Sequence, residues 1–145
     1  MTVKIVKLQP NARIPTYGSA EAAGADLYAC IDEAVTIQPS QTVLIPTGLS
    51  MEIEQGFAGF IYARSGLATK RGLAPANKVG VIDSDYRGQV MVSLHNHTEQ
   101  PQTVEPGERV AQMVFAPVYQ AQFCEVDALQ DTERGTGGFG STGTK

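Results

Sequence analysis

Apolar positions along the chain fall into short runs, cut at close intervals by turn-forming residues. The segments Thr42–Ile53, Gly56–Tyr62, Gln89–His95 and Arg109–Val118 are rich in Val, Ile, Phe, Tyr and Met. Between and within them stand Gln38-Pro39-Ser40, Pro46-Thr47-Gly48, Gln55-Gly56, Arg87-Gly88 and Glu105-Pro106-Gly107, where proline and glycine favour chain reversal. Val90, Val92 and Leu94 alternate with Met91, Ser93 and His95, the period of a strand with one buried face. No segment sustains a capped helical stripe, and Ser65–Arg71 has room for one or two helical turns only. The pattern predicts an all-β fold, a distorted jelly roll or β-barrel-like sandwich.

The pattern stops near the C-terminus. Asp131–Lys145 holds five glycines and one large apolar residue, Phe139. Such a stretch buries too little surface to offset its ordering entropy. We therefore expect a folded domain over 1–130 and a mobile glycine-rich segment over 131–145. By itself this composition reads as a frayed terminus. Arg134 and Phe139, set among glycines and hydroxyl residues, suggest instead a lid that closes on a ligand. Gly135–Gly140 matches the dinucleotide fingerprint GxGxxG, but that motif works between a strand and a helix, and no helix-forming stretch follows. A P-loop fails as well, because Ser141 stands where its lysine belongs. The physics outlasts both motifs: glycines let backbone N–H groups approach phosphate, hydroxyls and arginine add donors, and an aromatic ring stacks on a base.

Composition narrows the classes. A chain of 145 residues suits one domain and buries about 70% of its unfolded surface, enough for a core without disulfides. Cys30 and Cys124 form no CxxC pair and read as reduced thiols. Lys4 and Lys7 interrupt the apolar stretch near the start, so no signal peptide is expected. No run approaches a membrane span, and a soluble cytoplasmic protein follows. The net charge is −4 and the 11 basic residues are scattered. That excludes a basic nucleic-acid face but not a small anionic ligand, which needs only local donors.

Five segments carry a family resemblance. They are Ala23-Gly24-Ala25-Asp26-Leu27-Tyr28-Ala29, Ala63-Arg64-Ser65-Gly66-Leu67-Ala68, Asn77–Gly88 centred on Gly80-Val81-Ile82-Asp83-Ser84-Asp85-Tyr86-Arg87-Gly88, Pro106–Met113, and Arg134–Gly143. Each is weak alone. Together, in this order and within this length, the chain resembles the trimeric deoxyuridine triphosphatase (dUTPase) family over nearly its whole extent. The resemblance implies Mg²⁺-assisted hydrolysis of dUTP to dUMP and pyrophosphate, which lowers dUTP and supplies dUMP for thymidylate synthesis. It also implies a homotrimer whose active sites are shared between chains.

By the same resemblance, Asp83 is the catalytic carboxylate that orients and deprotonates the attacking water. Aspartate is a weak base, so positioning matters more than basicity. Tyr86 resembles the residue on which the deoxyribose packs. Asn77 resembles the uracil-reading side chain, with turn capping as its alternative. Val81, Ile82 and Met91 join it in the substrate pocket, the hairpin backbone offering donors and acceptors. Ser65, Gly66 and Gln112 resemble phosphate contacts; in the lid, Arg134, Gly140, Ser141 and Thr142 are expected to offer phosphate donors and Phe139 to stack on the base. Arg64 has two readings, phosphate contact or subunit tie. Arg109 reads as a structural ion pair. Asp26 resembles the residue that reaches Mg²⁺ through water, while Asp32, Asp85 and Asp127 read as solvated turn charges. His95 and His97 lack the third ligand of a zinc site.

Two rivals remain at this point. A dCTP deaminase of the same fold requires a glutamate where this chain has Ser93, and serine cannot act as a carboxylate base. A non-catalytic jelly-roll binding module fits the strand pattern, because fold does not specify function.

Overall fold

The computed structural model describes residues 1–138; Phe139, Gly140, Ser141 and Thr142 of the expected lid lie outside the described residues. In chain order the strands are β1 (Lys4–Lys7), β2 (Thr16–Tyr17), β3 (Ala25–Tyr28), β4 (Val35–Ile37), β5 (Thr42–Pro46), β6 (Leu49–Glu52) and β7 (Phe57–Tyr62). Helix α1 (Ser65–Arg71) follows, then β8 (Leu73–Pro75), β9 (Gly80–Ile82), β10 (Met91–Asn96), β11 (Gln102–Val104) and β12 (Arg109–Pro117). The largest sheet has the order β2-β3-β12-β7-β9, a second is β5-β10-β8, and β1-β6 and β4-β11 form two-stranded ladders. Each of these pairings is antiparallel. Ladders that join strands remote in sequence around one core make a β jelly roll.

The core lies between the two larger sheets. Leu27, Ile61, Val110 and Met113 meet Ile45, Val92 and Leu94 in one buried cluster. Each such side chain contributes on the order of 1.5–3 kcal/mol by leaving water. The alternation in β10 appears as burial of Val92 and Leu94 with Met91 exposed. The expected run Thr42–Ile53 is a corner: β5 pairs with β10, whereas β6 pairs with β1. Gly48 makes the corner possible. Its φ is +68°, and an added Cβ would come within 2.6 Å of Cys30 Sγ and 2.8 Å of Ala12 Cβ. Thr47 holds the corner shut, its buried Oγ1 donating to Val90 O at 2.7 Å.

β12 carries an irregularity that bears on the site. Arg109 faces Tyr28 and Ala111 faces Leu27, so the register slips by one residue between them. In a regular strand Arg109 and Gln112 point to opposite faces. The bulge absorbs the extra residue: Val110 and Ala111 are both fully buried, and Arg109 and Gln112 emerge on the same side. Regular strand structure ends at Pro117, before the composition changes at Asp131. From Tyr119 to Leu129 the chain is irregular, with Tyr119 96% and Phe123 95% exposed.

Asn96 prolongs the buried phase of β10 as a polar hub. Its Nδ2 donates to Ile37 O at 3.0 Å and Gln100 O at 2.8 Å, and its Oδ1 accepts from Thr98 N at 2.9 Å and Thr98 Oγ1 at 2.8 Å. Asn96→Ala strands those partners and should lower stability by about 2–4 kcal/mol. Urea unfolding checks this: an unchanged midpoint would show that water replaces the hub without loss.

Candidate active site

One row of opposed residues crosses the large sheet. Thr16 faces Asp26, Asp26 faces Gln112, and Gln112 faces Tyr62. Asp26 is buried, so its carboxylate must be paired. Arg64 Nε donates to Asp26 Oδ1 at 2.7 Å and Arg109 Nη1 donates to Oδ2 at 3.1 Å. Arg109 therefore takes the structural role expected of it, and Arg64 is drawn into the same triad. Gln112 Nε2 donates to Ala63 O at 2.9 Å. A Cβ on Gly24 would overlap the Gln112 amide, so glycine is required there for the amide to lie across β3.

Beyond Tyr62 the chain passes through Arg64 into α1. The helix has no side-chain N-cap, so its first N–H groups lack intrahelical partners. Ser65 and Gly66 stand exposed there, and a Cβ on Gly66 would meet nothing. Gly18, Ala22, Gly24, Asp26, Arg64, Ser65, Gly66, Arg109 and Gln112 together line a cleft of about 230 Å³. Two guanidinium groups meet a single carboxylate there, beside an amide, a hydroxyl and open backbone donors.

The other predicted residues sit elsewhere on the same chain. β9 pairs with β7 so that Ile82 faces Gly59, and Asp83 lies just past that point. Tyr62, which marks the cleft, is three residues further along β7 in the opposite direction, roughly 10 Å of strand. Asp83 instead lines an open groove of about 1060 Å³ with Glu52, Phe57, Asp85, Arg87 and Tyr119 among others. Lys4 holds the Glu52 carboxyl below its ordinary range, by hydrogen bond and then by charge. The turn after Asp83 is closed by Tyr86 N donating to Asp83 O at 3.2 Å. Asn77, Val81, Tyr86 and Met91 are exposed and Ile82 is half-buried. Asn77 belongs to the turn before β9: Val79 N donates to its carbonyl at 2.7 Å, and Lys78 has φ +65°. Its side-chain Nδ2 lies 3.4 Å from where a Gly80 Cβ would be.

Arg134 folds onto its own turn, Nε donating to Gly137 O at 2.8 Å. Cys30 and Cys124 are free thiols; burial, and then Asp32, push the Cys30 thiol up. The His95 and His97 rings stack edge to face at 4.4 Å. Burial lowers the His97 pKa, with His95 and Lys78 adding to the effect. Among the described residues no three His, Cys, Asp or Glu side chains form a metal cluster, and no helix is long and apolar enough to cross a membrane. Sequence reasoning overlooked Gly24 as a seat for Gln112 and the bulge that turns Arg109 into the cleft. The Ala23–Ala29 motif contained the first signal, but nothing in Arg109–Gln112 announces the second.

Fold and site thus define an antiparallel jelly roll with a donor-lined cleft at one end of its largest sheet. Residues 10–143 match the family model described as dUTPase, and the chain belongs to that family. It is 50% identical over 142 residues to the deoxyuridine 5'-triphosphate nucleotidohydrolase of Desulfitobacterium hafniense, covering 97% of this chain and 94% of the relative. The enzyme of the same name from Enterobacter sp. (strain 638) is 53% identical over 133 residues, covering 91% and 88%. Among solved structures, a dUTPase of Staphylococcus bacteriophage 80alpha with dUpNHpp superposes with a TM-score of 0.85 at 25% identity, covering 99% of each chain.

Asp26→Asn keeps the size of the side chain and removes the charge that two guanidiniums share. Because Arg109 is half exposed, the expected loss is about 1–3 kcal/mol, below that of a fully buried pair. Denaturant titration measures it; a variant as stable as its parent would remove Asp26 as the anchor of the cleft.

Proposed function

We propose that the protein hydrolyses dUTP to dUMP and pyrophosphate in a homotrimer whose active sites combine residues of different chains. The observation that carries this reading is the separation of two partial sites along β7. A phosphate-competent cleft sits at one end, and Asp83 with Tyr86 sits at the other. Neither has the chemistry to work alone. A neighbouring copy that brings its Asp83 end to this chain's cleft completes both.

In that arrangement Ser65, Gly66 and Gln112 hold the phosphates. Gly66 supports this role, because packing within the chain leaves its Cβ position empty and close approach of an anion to the backbone requires that space. Arg64 commits Nε to Asp26 and keeps further donors for phosphate. Asp83 orients a water toward the α-phosphorus and takes its proton, while the cleft donors stabilise charge on the phosphoryl oxygens. Asn77 and the backbone of Val81 and Ile82 read the uracil edge, beside Met91. Tyr86 supports the deoxyribose. The segment 131–145, through Arg134, Phe139, Gly140, Ser141 and Thr142, serves as a lid that excludes water.

Mg²⁺ fits this donor set. The ion retains several waters and binds through substrate phosphates with few carboxylates. Each Asp26 oxygen accepts one arginine hydrogen bond and has a lone pair left for a metal-bound water. When bound, Mg²⁺ supplies neutralisation of phosphate charge.

Deamination has no support in the site, since Ser93 lies within β10 opposite Leu44 and carries no carboxylate. A panel of dUTP, UTP, dTTP, dCTP and ATP with Mg²⁺, followed for pyrophosphate and ammonia, tests the reading. Pyrophosphate from dUTP far above the others, without ammonia, is expected. Asp83→Asn should lower kcat roughly 10²- to 10⁴-fold with little change in dUTP affinity. Near-full turnover in that variant would remove Asp83 from the mechanism.

Shared sites have their own signature. Asp83→Asn and the double variant Ser65→Ala, Gln112→Ala are to be unfolded together in equal amounts and refolded. With Asp83 and the cleft supplied by different chains of a symmetric trimer, about a quarter of sites regain both parts. Recovery near that level is expected. Mixed trimers verified by mass spectrometry but lacking activity would place the whole site within one chain.

A further inference from the structure

The loop from β9 to β10 contains a glycine whose presence its own backbone does not explain. Gly88 is absent from the left-handed conformations that Gly48, Gly56, Gly72, Gly107 and Gly135 adopt. What requires glycine is the Tyr86 ring, which has folded back over position 88. A Cβ on Gly88 would overlap Tyr86 Oη and Cζ and stand 2.9 Å from Cε2. The ring therefore occupies the volume that any side chain at 88 would claim. Its hydroxyl donates to Gln89 O at 3.1 Å, and its other side is open, the residue being 43% exposed.

The surrounding loop is fixed, so displacement falls on the ring. Tyr86 N is tied to Asp83 O at 3.2 Å, Arg87 Nη1 donates to Ser84 O at 2.8 Å, and Ser50 Oγ donates to Arg87 O at 2.7 Å. These bonds hold the backbone between the reacting carboxylate and β10. A methyl group at 88 meets the outer end of one side chain with solvent behind it. The ring swings away and the fold persists.

We propose that Gly88 is a positioning residue for sugar selection: it is the seat that sets the height of the Tyr86 ring, and through it the discrimination between deoxyribonucleotide and ribonucleotide. This rests on the proposed role of Tyr86 as the support of the deoxyribose. A ring held flat against Gly88 presents a fixed surface to the sugar. A 2′-OH then meets carbon that cannot retreat, because glycine has already brought the ring as low as the backbone allows. Gly88→Ala lifts or rotates the ring, and the shape that excludes the hydroxyl is lost.

The test measures kcat/KM for dUTP and for UTP in the parent, Gly88→Ala, Tyr86→Ala, Tyr86→Phe and the double variant Tyr86→Ala, Gly88→Ala, each checked for a cooperative melt. Gly88→Ala should reduce the dUTP-to-UTP ratio by about tenfold or more, the scale of discrimination by shape. Tyr86→Ala should reduce it at least as far, and the double variant should match Tyr86→Ala, since residues acting through one another are not additive. Tyr86→Phe keeps the seat and loses the Gln89 bond, so its ratio should stay close to that of the parent. If Gly88→Ala keeps the parental ratio while Tyr86→Ala loses it, the seat has no role in selection. A further fall on adding Gly88→Ala to Tyr86→Ala, or a Tyr86→Phe ratio as low as that of Tyr86→Ala, overturns the proposal equally. A parental ratio in Tyr86→Ala defeats the reading of Tyr86 itself and the proposal with it, a result distinguished by the immobile tyrosine arm.

Discussion

A carboxylate withdrawn from water at Asp26 constrains everything around it. Its desolvation is tolerable only with strong partners, and two guanidiniums supply them, one from the start of β12 and one from just past the end of β7. Arg64 is thereby fixed where the chain leaves β7 for α1, and Arg109 where β12 begins. The triad ties three parts of the chain at one point. Gln112 lies in the same row, with its amide over Gly24. The cleft takes its shape from the need to satisfy one charge.

Strand β7 then acts as a ruler between two kinds of chemistry. The donor-lined cleft proposed to hold phosphate lies at its C-terminal end. β9 runs back along it and delivers Asp83 beside its N-terminal part. Antiparallel pairing forces that separation, because a strand returning from the Tyr62 end ends near Phe57. In the proposed mechanism a chain built this way needs a neighbour to bring the two ends together, and that dependence follows from the topology.

Much of the fold was legible in the sequence. Val90, Val92 and Leu94 show one buried face because a period of two admits no other reading, and Thr47-Gly48 reads as a corner because glycine and proline punctuate it. The bulge was not legible. Val110 and Ala111 look like any apolar pair, and strand parity sends Arg109 and Gln112 to opposite faces; only the pairing with β3 reveals the slip. Asn96 escaped notice because a polar residue at a buried parity position declares itself only through its partners. The roles proposed for Asp83, Tyr86 and Ser65 rest on motif resemblance, whereas the grouping of Asp26 with Arg64 and Arg109 comes from the fold. Tyr119–Leu129 has the composition of a core, yet it finds no cover within its own chain.

That last segment gives a lone copy a distinctive surface. Tyr119, Phe123 and Leu129 face water on a backbone that pairs with no strand among the described residues. Exposed apolar side chains on extended chain are the features by which proteases and chaperones sort unassembled polypeptides. Under the proposed assembly, a copy without partners would carry its own mark for removal, and a partner surface that covered the segment would erase it. Cellular abundance would then follow the extent of that proposed assembly as well as the rate of synthesis.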